Sequence, residues 1–397
     1  MSTLERRPTA VATGWYGTQY CDLADFRAVV DELTELADYP HADAVVENVL
    51  VFDLGLADRV TTPERRRAVQ AEIAAALADG PGVVVFKDAF SPEVVDAATE
   101  AFDRLIADQK AAGALMGDHF AKPGANDRVW GALDKLALAA PEVFAAYYAN
   151  EVLALASEAW LGPNYQVVSQ VNVVKPGGQA QLAHRDYHLG FMDCEQATTY
   201  PAQVHALSPA LTLQGAVAHV DMPVETGPTL YLPHSQKYGP GYVAYHAPAF
   251  TEYFEGHYAQ LPLDKGDAVF FNPAVFHAAG TNKTSDVRRM ANLLQVSSAF
   301  GRAMEAVDST SICKAVFATL RSRKADGASP QALDNIITAA AEGYAFPTNL
   351  DLDQPVGSLA PQSQADLVRQ ALAEDWHSER LSKALDAQQD RRQSKVG

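Results

Sequence analysis

The stretch from residue 165 to residue 300 most constrains the fold, because its apolar residues recur with the period of a β-strand. Gln166–Val174 alternates and is rich in valine, a pattern typical of a strand. Four more short runs predict strands at 211–220, 229–232, 268–271 and 291–296. Gly and Pro residues cluster between these runs. Several short strands separated by turn residues indicate a β-sandwich or an open barrel.

Helical patterns flank this β-rich region. The predicted helices before it cover residues 22–37, 63–78, 91–110 and 141–160, and those after it cover 304–324 and 363–388. A short buried strand is predicted at 83–86, because four apolar residues follow a Gly-Pro-Gly stop. Residues 235–261 are rich in Tyr and His without clear periodicity, and we expect a long insertion between strands there.

Charge and cysteine usage exclude several classes of protein. The chain has 49 acidic and 31 basic residues, a formal net charge of −18. A protein that binds nucleic acids or anionic membranes needs a basic surface, so the charge argues against both partners. Cys21, Cys194 and Cys313 are far apart, which fits neither a disulfide framework nor a zinc site. Residues 1–12 lack a signal-peptide pattern and no apolar run reaches the length of a membrane span. We therefore expect a cytoplasmic protein.

His184 and Asp186, with His277 far along the chain, are the candidate metal ligands. Two imidazoles and one carboxylate are the protein ligands of non-haem Fe(II) sites, and they leave three positions open. Residues two apart on a strand point the same way, so the spacing suits a strand end. Taken alone, such a triplet is more often surface charge or a hydrogen-bonded pair, and His277 alone is more often a core histidine.

A second triplet, His219-Val220-Asp221, competes with the first. It lies inside the apolar run 211–220 and precedes a turn, where an aspartate more often holds backbone amides. The first triplet instead follows the turn Lys175-Pro176-Gly177-Gly178 and is placed where a strand would emerge into a pocket. We favour His184 and Asp186.

Arg288 and Arg289 are candidates for binding a carboxylate, since a guanidinium can grip one at two points. Neighbouring side chains on a strand point to opposite faces, so only one of the two can reach the pocket. We predict that this is Arg288, and that Asp286 orients the other. The alternative is a solvated basic pair.

The order of these motifs resembles that of the phytanoyl-CoA dioxygenase family, including its ectoine hydroxylase-like members. The similarity covers roughly residues 80–302. It includes an opening strand and helix, the Lys-Pro-Gly turn, the H-x-D triplet and a Thr-Gly-Pro turn, and is strongest from Gly266 to Arg289, where His277, Gly280, Asn282, Thr284 and Arg288 fall in register.

The resemblance implies an Fe(II)- and 2-oxoglutarate-dependent oxygenase with an α+β fold built on a double-stranded β-helix (a jelly roll, cupin-like). The β-helix would occupy residues 80–302, between an N-terminal helical extension at 1–79 and a C-terminal helical extension at 303–397. The implied reaction uses O2 to hydroxylate an unactivated C–H of a small-molecule metabolite, with release of succinate and CO2. The helical extensions are candidates for a homo-oligomer contact.

By this resemblance His184, Asp186 and His277 bind the iron and Arg288 pairs with the distal carboxylate of 2-oxoglutarate. The family often has a serine two residues after the distal histidine, where this chain has Ala279, and Thr281 is a candidate to replace it. The resemblance also points to a polar residue on the strand before the triplet. Gln170 and Asn172 share a strand face there, and either could bind the other end of 2-oxoglutarate; a polar edge-strand face is the alternative.

Substrate selection is expected from polar aromatic side chains around the triplet and in the 235–261 insertion, and from an arginine in an early loop. The candidates are Tyr187, His188, Tyr231, Tyr242 and Arg128, with Tyr238, Tyr245 and His246 as further members. Aromatic rings with polar tips suit a small amphipathic substrate, although any one of them could simply pack over the barrel mouth.

Three alternatives remain open. The same iron chemistry could give desaturation, cyclisation or epimerisation, which the product mass distinguishes from hydroxylation. A non-catalytic cupin-like protein that binds a metal or metabolite would release no succinate. A structural or interaction protein would be indifferent to His277→Ala.

Overall fold

The computed structural model describes residues 14–53, 55–113 and 126–394. The strands are β1 (Ala44–Val46), β2 (Val49–Phe52), β3 (Val83–Phe86), β4 (Asn126–Val129), β5 (Gln166–Val174), β6 (Thr212–Ala218), β7 (Leu230–Leu232), β8 (Ala268–Phe271), β9 (Phe276–Ala278) and β10 (Arg289–Ser297).

The α-helices are α1 (Leu23–Val30), α2 (Leu56–Arg59), α3 (Pro63–Ala78), α4 (Pro92–Ala111), α5 (Ala132–Ala139), α6 (Pro141–Tyr148), α7 (Glu151–Leu161), α8 (Cys194–Ala197), α9 (Ala202–Ala210), α10 (Gly241–Ala244), α11 (Pro248–His257), α12 (Ser309–Ala325), α13 (Pro330–Ala340), α14 (Gln364–Ala373) and α15 (Ser378–Arg392). Single turns of 3-10 helix lie at Thr18–Tyr20, Leu36–Asp38, His188–Phe191, Val224–Thr226 and Ser235–Lys237.

An eight-stranded sheet forms the centre of the molecule, with the strand order β1-β2-β3-β8-β6-β10-β5-β4. All neighbouring pairs are antiparallel except β2 and β3, which run parallel. The longest pairing joins β5 to β10, from Gln166↔Ser297 to Val174↔Arg289. Together with the helices, this sheet confirms the predicted α+β fold with a mainly β core.

Alternation along each strand gives the sheet two different faces. On β10, the apolar side chains of Met290, Leu294 and Val296 belong to the main hydrophobic core beneath the helices. The intervening residues Arg289, Ala291, Leu293 and Gln295 line a cavity on the other face. Because the period of a strand is two, strands β3, β5, β8 and β10 supply the core with one set of residues and line the cavity with the other.

A smaller sheet lies across the cavity from the large one. It pairs β7 with β9 in antiparallel register, with Tyr231 opposite His277. The segment at His184 extends this sheet, since its N–H and C=O both bond to the backbone of His277 at 3.0 Å. Two facing sheets of this kind are the layout of a double-stranded β-helix, and they bring the predicted ligands to one wall.

The C-terminal helices are part of the main core. Ile312, Val316 and Phe317 of α12 are fully buried in the same hydrophobic cluster as β5 and β10. Helix α12 packs against α5, α6, α13 and α15. The N-terminal extension, predicted to be helical, also contains β1 and β2, which add two strands to one edge of the large sheet.

Several predicted elements agree closely with the structure, including β3, β5, β8 and α3. The predicted helix 141–160 is two helices, because the Asn150 side chain accepts a hydrogen bond from Leu153 N and so caps a new start. The predicted helix 363–388 is likewise divided into α14 and α15. The 235–261 insertion is not irregular, since it contains α10 and α11. Among the described residues, none of the helices combines the length and the apolar character that crossing a membrane requires.

Candidate active site

His184, Asp186 and His277 converge on one point between the two sheets. Ligand atoms from these three side chains lie within 4.8 Å of one another. The distance from Asp186 Oδ1 to His184 Nε2 is 4.0 Å, and from Asp186 Oδ2 to His277 Nε2 it is 3.6 Å. Residues from two distant segments thus form a His-Asp-His set, a donor set that fits Fe(II) with open coordination positions.

Backbone carbonyls orient both imidazoles. His184 Nδ1 donates to Leu182 O at 2.8 Å, and His277 Nδ1 donates to Val275 O at 2.9 Å. A proton held on Nδ1 leaves Nε2 as the lone-pair nitrogen. Both Nε2 atoms face Asp186, so each ring presents to the common point the nitrogen that can bind a metal.

Gln214, on β6, holds the carboxylate of Asp186. Its Nε2 donates to Asp186 Oδ2 at 2.6 Å. Burial raises the pKa of Asp186, but the hydrogen bond and positive charge that His277 supplies when protonated, the charge of protonated His184 and the Gln214 bond outweigh it and lower the pKa well below its ordinary value. The pKa of His184 is also lowered, by burial and by the neighbouring His277. Asp186 is therefore an anion and His184 a neutral imidazole, the forms that bind metal.

The segment that carries His184 and Asp186 is held by hydrogen bonds on the side away from the cavity. Arg185 is fully buried and donates to the carbonyls of Ser235 and Tyr238, the latter at 3.0 Å. The hydroxyl of Tyr242 donates to the backbone carbonyl of Asp186 at 2.7 Å. These bonds set the position of the segment without entering the cavity.

Within the described part of the chain, His219 and Asp221 of the competing triplet do not form a metal-ligand group. His219 is buried, with Nδ1 at 2.8 Å from Thr99 Oγ1 and Nε2 at 3.1 Å from Tyr147 Oη. Asp221 accepts a hydrogen bond from Lys265 N in a turn. The choice of the first triplet as the metal-ligand candidate therefore agrees with the geometry.

The prediction that Arg288 enters the pocket is wrong. Its guanidinium donates to Asp103 at 2.6 Å in a partly exposed ion pair on the outer side of the molecule. Arg289 lines the cavity instead. Side chains do alternate between the faces here, but β10 begins at Arg289, and Arg289 shares its face with Ala291, Leu293 and Gln295.

Arg289 is a buried cation without an acidic partner among the described residues. Its Nη1 donates to the carbonyls of Thr226 and Gly280 at 3.2 and 3.3 Å. Burial lowers its pKa to about 10, and no carboxylate offsets that effect. Gly227 makes the site possible, because its φ is +75° and a Cβ there would approach Thr281 O to 2.4 Å. A buried guanidinium of this kind favours an anionic ligand.

The cavity between the sheets has a volume of about 1020 Å³. Among the predicted co-substrate residues, Gln170 and Asn172 line it, whereas Thr281 does not. The Thr281 hydroxyl instead accepts a hydrogen bond from Ala180 N at 2.9 Å. Ala279, which stands where the family often has serine, lines the cavity, so no hydroxyl is supplied at that position.

The predicted substrate residues divide into two groups. Tyr231 and Arg128 line the cavity, as do Tyr245 and His246. Tyr242 is buried behind the ligand segment and Tyr187 is buried beside Met304 and Glu305, and neither they nor His188 and Tyr238 line the cavity.

Several polar or aromatic residues of the cavity wall were missed from the sequence, among them Gln214, Gln295, Trp130 and Glu305, and Arg289 was passed over in favour of Arg288. Gln214 had a detectable signal, since it is a polar residue inside the apolar strand 212–218. Glu305 had none, because it follows the β-rich region and reaches the cavity only through the folding of the chain after β10.

The profile of the family described as "Phytanoyl-CoA dioxygenase (PhyH)" matches residues 78–290, more than half of the chain. No curated protein matches.

Several solved structures share limited similarity with the chain. The non-haem α-ketoglutarate-dependent epimerase SnoN from nogalamycin biosynthesis is 21% identical, over 59% of this chain and 82% of SnoN, with a TM-score of 0.40. The carbocyclase SnoK from the same biosynthesis is 19% identical, over 63% of this chain and 89% of SnoK, with a TM-score of 0.42. HygX from Streptomyces hygroscopicus, solved with nickel, 2-oxoglutarate and hygromycin B, is 16% identical, over 59% and 90%, with a TM-score of 0.41.

The family match covers strands β3 to β9, the His-Asp-His set and Arg289 at the start of β10. Iron(II), 2-oxoglutarate and dioxygen are the cofactor and co-substrates of this family, and the donor set found here fits Fe(II). The chain belongs to the phytanoyl-CoA dioxygenase (PhyH) family of Fe(II)- and 2-oxoglutarate-dependent oxygenases.

Proposed function

We propose that this protein hydroxylates an unactivated C–H bond of a small-molecule metabolite. His184, Asp186 and His277 hold Fe(II), and Arg289 binds the distal carboxylate of 2-oxoglutarate. When bound, Fe(II) with 2-oxoglutarate and O2 supplies the oxidation: 2-oxoglutarate, O2 and the substrate R–H give succinate, CO2 and R–OH.

The residues of this chain position and shield the reactants. The Leu182 and Val275 carbonyls keep both histidine Nε2 atoms aimed at the metal position. Gln214 keeps the Asp186 carboxylate turned towards the same position. The enclosing sheets contribute apolar side chains such as Val83, Val269 and Phe271 to the cavity wall, which limits the access of water to the reacting carbon.

One observation carries the proposal. The buried guanidinium of Arg289 has no acidic partner among the described residues, and it lines the same cavity as the His-Asp-His set. An unpaired buried charge is costly, and a dicarboxylate co-substrate offsets that cost by supplying the missing anion. A protein that only bound a metal would have no use for this cation.

Arg289→Ala tests the proposal, with Arg288→Ala as its matched control. Anaerobic addition of Fe(II) and 2-oxoglutarate to the wild type is expected to give the weak visible absorption band of the chelate. Loss of a buried charge-assisted pair of hydrogen bonds should weaken 2-oxoglutarate binding by about 100-fold or more in Arg289→Ala. Arg288→Ala removes only a surface ion pair and should bind 2-oxoglutarate as the wild type does.

The result that would refute the assignment is a wild type that gives no band, or an Arg289→Ala variant with unchanged affinity for 2-oxoglutarate. A product that gains one oxygen atom, with one succinate released, supports hydroxylation. A product that loses two hydrogens, or keeps the substrate mass, shows that the same iron chemistry ends in desaturation, cyclisation or epimerisation.

A further inference from the structure

The cavity has two chemically different ends. The end at Arg289 is basic and lined by small residues such as Ala218, Ala279 and Ala291. Along the same face of β10, Gln295 lies opposite Gln214 of β6, and the wall on this side is lined by amides, the Glu305 carboxylate and the Arg128 guanidinium, which donates to Gln170. The six-residue step from Arg289 to Gln295 corresponds to about 20 Å of strand. The co-substrate assigned to Arg289 therefore leaves the polar end for another ligand.

The polar end offers hydrogen-bond acceptors in a defined orientation. Gln214 Nε2 donates to the Asp186 carboxylate, which can only accept, so Gln214 Oε1 is fixed as an acceptor. That oxygen and the Gln295 oxygen beside it are buried without a hydrogen-bond donor among the described residues, as is the Asn172 oxygen on β5, which lies opposite Ala291. Acceptors without donors favour a ligand that brings O–H or N–H groups.

Glu305 supplies the only carboxylate of the described cavity wall other than Asp186. Its Oε1 accepts from Gly131 N at 3.0 Å, and its Oε2 accepts from Gln170 Nε2 at 3.3 Å. Gln170 is itself fixed, because its Oε1 accepts from the guanidinium of Arg128 at 3.1 Å. Among the described residues, no Lys, Arg or His lies within ion-pair distance of Glu305. Gly131 N and the Gln170 amide therefore hold its carboxylate in place by hydrogen bonds alone.

Glu305 comes from the segment between β10 and α12, which lies beyond the residues matched by the family profile. Met304 of the same segment also lines the cavity. The start of the C-terminal extension thus completes the wall of the active-site cavity. A substrate contact from this segment belongs to this chain, and is not implied by the family.

The sheet sets the distance between Glu305 and the metal position. Gln170, which binds Glu305, lies on β5, whereas Gln214, which binds Asp186, lies two strands away on β6. With about 4.8 Å between strands and a two-residue offset along them, the two sites are on the order of 10 Å apart. A molecule of one or two rings spans that distance.

We propose that the substrate is a small polar molecule bearing hydroxyl or ammonium groups, and that Glu305 is the residue that selects it by accepting hydrogen bonds from those groups. The inference rests on the proposed function, since it assigns the second ligand of the same cavity. It argues against acyl thioesters and fatty acids, because their acyl chains bring no O–H or N–H donor to the buried amide oxygens and the Glu305 carboxylate.

Binding to the anaerobic Fe(II) and 2-oxoglutarate complex tests the inference, because a nearby substrate perturbs the visible band without turnover. The probes are D-glucosamine and D-glucose, which differ in one ammonium group, against hexanoate and hexanoyl-CoA. The variants are Glu305→Gln and Glu305→Ala, with Glu255→Gln on the exposed face of α11 as the matched control. The band itself, recorded before any probe is added, reports that each variant is folded and binds the co-substrate.

We expect the sugars to perturb the band and the acyl compounds to leave it unchanged. Loss of a charged acceptor should weaken sugar binding by about 10- to 100-fold in Glu305→Ala. If Glu305 contacts an ammonium group, Glu305→Gln weakens D-glucosamine more than D-glucose; if it contacts hydroxyls, both weaken alike. Perturbation by hexanoate or hexanoyl-CoA with none by the sugars, or equal sugar affinities in Glu305→Ala and Glu255→Gln, overturns the inference. Absence of the band from the wild type overturns the proposed function instead.

Discussion

Single residues outside the ligand set determine how the ligands are presented. Asp186 is charged at neutral pH, because its pKa is held low by the histidines and by Gln214 despite its burial. The Gln214 amide donates a hydrogen bond to this carboxylate and so fixes which way it turns. Partners of this type tune metal affinity although they do not touch the metal.

Gln214→Leu should therefore weaken Fe(II) binding by about 10- to 100-fold. The substitution keeps the approximate size of the side chain and removes the donor to Asp186 Oδ2. Anaerobic Fe(II) titration measures the effect, with Gln389→Leu on the exposed face of α15 as a control for the chemical change alone. An Fe(II) affinity that matches the control would show that the Gln214 bond has no role in holding the metal.

At the scale of elements, the helices after β10 act as part of the main core. Phe317 of α12 is completely buried in the cluster that also contains Leu133, Phe144 and Leu294. The 303–397 segment, which the sequence predicted as an extension, therefore covers the outer face of the helices that back the large sheet. Because Glu305 lies just before α12, the packing of that helix also fixes one wall of the cavity.

Phe317→Ala should lower the free energy of unfolding by about 3–5 kcal/mol, since it leaves a cavity in a close-packed core. Urea denaturation followed by circular dichroism measures the change. Leu359→Ala is the control, because Leu359 is fully exposed and its truncation should change stability by less than about 0.5 kcal/mol. A Phe317→Ala variant as stable as this control would mean that α12 does not contribute to the stability of the main core.

At the scale of the whole molecule, buried neutral histidines tie stability to pH. Burial lowers the pKa of His219 to about 4, although distant carboxylates act in the opposite direction. The unfolded chain takes up this proton near the ordinary pKa of about 6.5, whereas the folded chain does not. The contribution of His219 to stability is thus complete above about pH 6.5, and is lost as the pH falls from there towards about 4.

The metal-free protein should accordingly lose about 3 kcal/mol through His219 alone across that range. In His219→Gln, whose amide can still meet Thr99 and Tyr147, the slope of unfolding free energy against pH should fall by up to one proton, about 1.4 kcal/mol per pH unit. Urea denaturation at several pH values measures it, with the exposed His377→Gln as control. Equal slopes for both variants would contradict the assignment.

Much of the fold and of the metal site was determined by the sequence itself. Strands such as Gln166–Val174 and Ala268–Phe271 were predicted correctly, because alternation and turn residues are local properties that any strand in this position must have. His184, Asp186 and His277 could be found because a metal requires particular donor types, and these leave a recognisable pattern in the order of the motifs.

Only the tertiary structure decided which of two adjacent arginines enters the cavity, because shifting a strand by one residue exchanges its two faces. The starting point of β10 depends on its pairing with β5, which no local pattern specifies. Gln214 and Glu305 reach the cavity through contacts between segments far apart in the chain. Such contacts are set by strand register and packing. The sequence alone therefore indicates the type of metal site, whereas the tertiary structure determines which other residues line the cavity.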